Sequence, residues 1–263
     1  MLGKLIKYDL KWVYKIIGVF YLLSLVFSVI GRSLSYFQNS IVFQIVSQIS
    51  FGIAIAMMVN CLINNLMRMW VRFVRNIYKD ESYLTHTLPI SKQTIYLAKL
   101  LSGILSLFTT IIVILLCIAI CFYTPENMQA LKAGLEIAAS SYHTTVVSFL
   151  LMVGIVFFLE MVFTLLIGYI GIILGHRANN NKMVKSVLWA IGLYFGSQAC
   201  ILLILFVVGF FQQNIMNLFT SANQIDVQAI KTIMYVGIGI YLVYLIIYYF
   251  MGKKFFEKGV NIE

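Results

Sequence analysis

Residues 100–123 carry no charged side chain, and a stretch of that length and character has few ways to fold. As one α-helix it is long enough to cross about 30 Å of hydrocarbon while pairing its backbone amides and carbonyls internally. Five further stretches read the same way, at about residues 13–30, 45–67, 145–174, 187–211 and 232–251. The fourth in chain order, 145–174, is long enough to require tilt or extension beyond the bilayer. Hydrophobic residues make up 62% of the chain and charged residues 11%, against roughly 45–50% and 25% in soluble domains. A chain of 263 residues cannot bury that much apolar surface in water. The expected fold is an all-α integral membrane protein, a single six-span domain over residues 1–263.

The basic residues give the orientation. Sixteen of the 19 Lys and Arg fall on one side: Lys4, Lys7, Lys11 and Lys15, six in the stretch 68–99, then Arg177, Lys182, Lys185, Lys253, Lys254 and Lys258. Only Arg32, Lys132 and Lys231 fall on the other. Cytoplasmic flanks carry the excess of Lys and Arg, so both termini and the loop 68–99 are expected in the cytoplasm, with the protein in the cell membrane. A net charge of +10 would suit nucleic acid only if gathered on one face. Here it marks span ends, so no nucleic-acid partner is expected. Residues 1–12 place Leu2, Leu5, Ile6 and Leu10 at helical spacing, with Lys4, Lys7 and Lys11 largely opposite. This is the pattern of an interfacial helix attracted to anionic lipid; an extension of the first span is the alternative. The lysines ahead of a full-length apolar run, with no convincing small-residue cleavage site, read as an uncleaved anchor. Outer loops fall at 31–44, 125–144 and 212–231, the last with an alternation that suits short helices.

The loop 68–99 is charged, amphipathic and contains Pro89, one of two prolines in the chain. Asp80 is placed to cap a short helix and Glu81 to complement its dipole. That helix would carry Tyr83, Leu84 and Leu88 and stop before Pro89, which disfavours helical geometry in the residue ahead of it. Ser91 then caps the next helix. A short capped helix between two spans, with charges around an apolar ridge, suits docking onto a partner; a solvated loop with incidental amphipathicity is the plainer alternative.

No catalytic constellation is present. The chain has no GxxxxGK[ST] and therefore no ATP site of its own; His86, His143 and His176 are scattered, and no metal spacing occurs. Cys61, Cys117, Cys121 and Cys200 all lie in apolar segments and read as small core residues. The polar residues within spans are the other candidates. Glu160 stands near the middle of the fourth span, where a carboxylate costs roughly 2.5–3.5 kcal/mol on insertion scales; a functional role and a helix-packing role both remain open. Gln198 is central in the fifth span, and Gln48, Asn60 and Asn64 lie in the second, where Asn and Gln more often join helices than bind substrate. Gly171-x-x-x-Gly175 and Gly192-x-x-x-Gly196 are suited to close helix approach.

Taken together, the amphipathic N-terminal helix, six spans and the cytoplasmic loop between spans two and three resemble the ABC-2 type permeases, the type V exporter fold. The most specific match is YKDESYLTHTLPISKQTIYLAKLL, residues 78–101, similar to the Y-x-D-E-x-x-L-x-x-T-L-P-[IV]-S pattern of permeases from Gram-positive bacteria; KFFEKGVNIE also looks like the tails of those proteins. The resemblance implies that residues 80–88 form a coupling helix seated in a separate ATPase subunit, which holds ATP and Mg. It further implies two permease subunits, identical or related, with spans two and five facing the path of an exported amphipathic substrate. A membrane anchor or sensor that signals to a cytoplasmic partner through the same loop is the competing function.

Overall fold

The computed structural model describes the chain apart from residues 38–39, 80, 213–214, 218–226 and 259–263. Among the described residues every regular element is a helix and no strand occurs. They are α1 (Leu2–Leu34), α2 (Ile41–Ile77), α3 (Ser82–Thr87), α4 (Lys92–Phe122), α5 (Pro125–Ser141), α6 (Val146–Gly175), α7 (Lys182–Phe211) and α8 (Val227–Glu257). Six of these are long and apolar enough to cross a membrane: α1, α2, α4, α6, α7 and α8. The chain divides into two compact units, residues 1–130 and 131–261, with the boundary inside α5.

In the first unit α1 packs on α2 and α4, which also touch each other. The helices bury their least apolar faces. On α1 the buried residues are Asp9, Val13, Ile17, Ser24, Ser28 and Gly31, and on α2 they include Ser47, Ser50, Ala54, Met58, Cys61, Asn65, Met69 and Arg72. Bulky residues such as Val19, Leu22, Ile55, Val59 and Ile63 point outward. In lipid there is little hydrophobic gain from pairing two apolar faces, so close approach of small residues and interhelical hydrogen bonds select the inner face. Both are present. A Cβ on Gly31 would come within 2.8 Å of the Phe51 ring, and Ser47 Oγ donates to the Gly31 carbonyl at 2.8 Å. Deeper in the unit, Ser106 Oγ donates to Asn65 Oδ1 at 2.8 Å, and Asn65 Nδ2 reaches the Ser106 carbonyl at 2.9 Å and Thr110 Oγ1. Tyr14 and Tyr21 of α1 hold Thr109 and Thr110 of α4 at 2.7 and 2.6 Å.

In the second unit α6 is central, packed on α7 and α8, which touch each other only lightly. From Leu159 to Gly175 α6 is almost wholly buried. Gly171 and Gly175 let α7 lie against it: a Cβ on Gly171 would meet Ala190 Cβ at 2.7 Å, and one on Gly175 would overlap the Ser186 backbone. On the other side Phe163 is ringed by Tyr241, Tyr244 and Tyr248 of α8, each at 5.5 Å between centroids. By contrast, nothing outside its own helix lies within 4 Å of a Cβ built on Gly192 or Gly196. The second small-residue pair therefore makes no close approach among the described residues.

Three local outcomes differ from the pattern read in the sequence. No break separates residues 1–12 from the first span; α1 is one helix, because nothing between Leu2 and Leu34 interrupts backbone bonding. The loop 68–99 is shorter at its start than expected, since α2 continues past Arg68, Arg72 and Arg75 to Ile77, while α4 begins at Lys92 after Ser91, as read. Residues 125–141, read as outer loop, form α5. Thr124 Oγ1 accepts the Asn127 N–H at 2.9 Å, Pro125 opens the helix and Glu126 occupies its first turn, all standard helix-start chemistry. In the outer loop 212–231, where short helices were expected, residues 215–217 are helical and 227–231 belong to α8, while 213–214 and 218–226 lie outside the described residues, as do the last residues of the tail.

Candidate functional site

Charge in the first unit converges where the ends of α1, α2, α3 and α4 meet. Asp9 is 2% exposed and Lys99 3%. The Lys99 Nζ donates to both Asp9 oxygens, at 2.7 and 2.8 Å, and Arg72 Nε donates to Asp9 Oδ1 at 2.9 Å. Arg72 then turns its Nη1 to Glu81, reaching the two carboxylate oxygens at 2.8 and 2.7 Å, and Asn76 Nδ2 donates to the same carboxylate at 2.7 Å. The result is a continuous ion network from α1 through α2 and α4 to the start of α3. Each charge that leaves water here has an opposite charge and hydrogen bonds to meet it, which is the condition for burying ions without a large penalty.

α3 is short and held from one end. Glu81 occupies its N-cap position without a side-chain cap bond, because its carboxylate is taken by Arg72 and Asn76. Ser82 and Thr85 face inward, and His86 Nε2 donates to the Ile77 carbonyl at 3.2 Å. Tyr83 and Leu84 point outward, 76% and 67% exposed, followed by exposed Leu88 and Pro89. Leu88 has the extended backbone (φ −65°, ψ 138°) that its proline neighbour favours, and Ser91 Oγ accepts the Thr94 N–H at 3.3 Å to start α4. The helix expected between spans two and three is therefore present, with its apolar ridge bare. Glu81 is part of an internal ion network as well as the helix start, and Asp80 lies outside the described residues.

The intramembrane candidates separate. In the second unit Glu160 Oε1 accepts the Tyr194 hydroxyl at 3.0 Å, while its Oε2 is buried with no partner among the described residues. Tyr241 of α8 and Gln198, one turn along α7 from Tyr194, belong to the same polar cluster. Glu160 and Gln198 are thus brought to the same two tyrosines, Tyr194 and Tyr241. Nearby, Ser197 Oγ and the Tyr248 hydroxyl lie 2.5 Å apart, and Tyr244 donates to the Ser197 carbonyl at 3.1 Å. In the first unit Asn60 and Asn64 donate only to carbonyls of their own helix, Ala56 and Asn60, each at 3.0 Å, and Gln48 is exposed. Their neighbour Asn65 does join helices, bonding Ser106 and Thr110 of α4.

Sequence reasoning missed Asp9, the hub of the ion network, and Asn65. Asp9 had a signal: no other acid precedes Asp80 in the chain, and it stands among Lys4, Lys7 and Lys11. The described residues hold no group of three or more His, Cys, Asp or Glu able to bind a metal ion. No family model, curated protein or solved structure matches the chain.

Proposed function

We propose that the chain is the membrane-spanning permease subunit of an ATP-driven ABC exporter of the ABC-2 type. In this reading it moves an amphipathic substrate across the cell membrane, driven by a separate ATPase subunit that binds ATP and Mg. The observation that carries the reading is α3: a short helix between two membrane helices, anchored inward through Glu81 and presenting Tyr83, Leu84 and Leu88 outward. A bare apolar ridge on a water-side helix is the kind of surface a partner covers. The ion network supports it further, because Glu81, Arg72, Asp9 and Lys99 tie that ridge to three membrane helices. A push on α3 then reaches the spans through short, buried contacts. Two permease copies, or this chain with a related one, complete the proposed transporter, with both termini in the cytoplasm.

The test is purification of the full chain with its natural partners, followed by ATPase measurement. An ATPase should co-purify, and the isolated chain should hydrolyse no ATP. Leu84→Asp places a charge on the exposed ridge and leaves the interior untouched, so it should release the ATPase while the thermal stability of the chain is unchanged. Retention of the ATPase and of stimulated hydrolysis by Leu84→Asp would refute the docking role. Recovery of a kinase or regulator in place of an ATPase would favour the sensor function instead.

A further inference from the structure

The aromatic and basic side chains between α1 and α2 form a second arrangement, which shares only Arg72 with the ion network. Three guanidinium groups gather on one indole: Arg68 lies 4.0 Å from the Trp12 ring, Arg72 5.3 Å and Arg75 6.0 Å. Arg72 is committed to Asp9 and Glu81. Arg68 is different: its buried Nε has no partner among the described residues, and the Arg75 charge is close enough to repel it. The Arg68 guanidinium thus sits over the indole as a cation–π pair with no carboxylate on it among the described residues, and its buried Nε is an unsatisfied donor.

The depth of this arrangement is set by the sequence. Trp12 immediately precedes the apolar run that starts at Val13, and Arg68 immediately follows the one that ends at Met67. Their contact therefore falls at the boundary of the hydrocarbon, where Trp residues and lipid phosphates both reside. Lys15, one turn from Trp12, and Arg75 are exposed beside it, and the apolar side chains of Ile16 and Met67 are exposed next to them. We propose that Trp12, Arg68 and Arg75 form a binding site for the phosphate of an anionic phospholipid, with its acyl chains lying along α1 and α2. Arg68 supplies the paired donors that match a phosphate, Trp12 fixes the plane of that fork, and Arg75 and Lys15 add positive potential. The site does not depend on the transport reading.

The experiment uses the full chain with Trp12 as its one indole (Trp70→Phe and Trp189→Phe), in bilayers where a fixed fraction of lipid has brominated acyl chains. Brominated phosphatidylglycerol should quench Trp12 more than brominated phosphatidylcholine at the same fraction, with a preference of about fivefold for one guanidinium at the surface. Arg68→Gln should cut that preference severalfold, leaving what Arg75 and Lys15 supply, and Lys4→Gln should leave it unchanged. Arg68→Lys keeps the charge without the fork, so its preference should fall below the parent's, and it serves equally if Arg68→Gln does not fold. Glycerol phosphate added to the vesicles separates the two sources of a phosphate: failure to displace the brominated lipid supports a lipid site, and displacement assigns the site to a free phosphate and ends the lipid proposal. Equal quenching by both lipids, or a preference undiminished in the Arg68 variants, overturns the site.

Discussion

Asp9 and Glu160 are both carboxylates on membrane helices, and the two units accommodate them in opposite ways. Asp9 sits at the end of the first unit's helices and takes two cations, Lys99 and Arg72, within 2.9 Å. Glu160 sits in the middle of α6 and takes the Tyr194 hydroxyl, with an amide and a second tyrosine close by. Depth accounts for the difference. At the boundary of the bilayer a Lys or Arg costs little, because its head reaches water if the pair opens. At mid-span a cation would add roughly 2.5–3.5 kcal/mol of its own, so neutral donors are the less costly company. Buried ion pairs are thus a feature of the first unit, beside its hydroxyl bonds and the Gly31 contact, whereas the second relies on close approach at Gly171 and Gly175 and on the aromatic cluster around Phe163.

The largest effect should come from Asp9→Ala. It leaves Lys99 buried without its carboxylate and Arg72 with one partner fewer, a change that costs about 3–5 kcal/mol where one member of a buried pair is removed. Thermal unfolding in detergent should show a large fall, partly restored by adding Lys99→Met. A loss under about 1 kcal/mol would mean the ions do not hold the first unit. Next in size is Gly175→Ala, whose new methyl would overlap Ser186; overpacking of this kind costs about 1–3 kcal/mol. Gly192→Ala meets open space and should be close to neutral, so equal effects at the two glycines would remove close packing as the second unit's device.

Glu160 itself should respond less. Glu160→Leu strands the Tyr194 hydroxyl and should destabilise the protein measurably, whereas Glu160→Gln keeps an acceptor and should not. A transport defect in Glu160→Gln with unchanged stability would instead move this residue from packing into the mechanism. The smallest effect is expected for Tyr194→Phe, about 0.6 kcal/mol, the average for a hydrogen bond between membrane helices. A loss well above that in the same thermal assay would place more of the second unit's stability in its polar cluster than the comparison allows.

The features legible in the sequence are those that bilayer thickness and local backbone chemistry decide. Six apolar stretches become six long helices, α3 stops ahead of Pro89, and Ser91 caps α4 because its hydroxyl is three residues from Thr94 N–H. Helix ends were less legible. Charge marks the edge of the hydrocarbon but does not stop a helix, so α2 runs past Arg68 and Arg72 to Ile77. The facing of each helix was hardest to read. Asn60 and Asn64 drew attention as intramembrane amides, yet Asn65 is the buried one, because it alone of the three lies on the stripe of small and polar residues (Ser47, Ser50, Ala54, Cys61) that turns inward in lipid. Asp9 finds its partners at positions 72 and 99, and no local pattern announces pairs that distant. The Thr124-Pro125-Glu126 start of α5 was local and readable; its polar composition disguised it as loop.

α2 has one further consequence, which is mechanical. It is a single helix from Ile41 to Ile77, with no proline and with its one glycine at Gly52, and it is held both where Arg68 lies over the Trp12 ring and, near its other end, where Ser47 bonds the Gly31 carbonyl. At 1.5 Å per residue the short arm from Arg68 to Ile77 is about 14 Å and the long arm to Ile41 about 40 Å. If the Ser47 contact releases, a rod pivoting at Arg68 works as an unequal lever, and about 1 Å of travel beside α3 becomes about 3 Å at the opposite end of the helix. Spin labels at the two ends would read this ratio; equal displacements would mean that the helix slides or bends. In that case a small movement beside α3 would be amplified at the far end of α2 with no hinge inside the helix, and the Ser47–Gly31 bond is the latch that holds it.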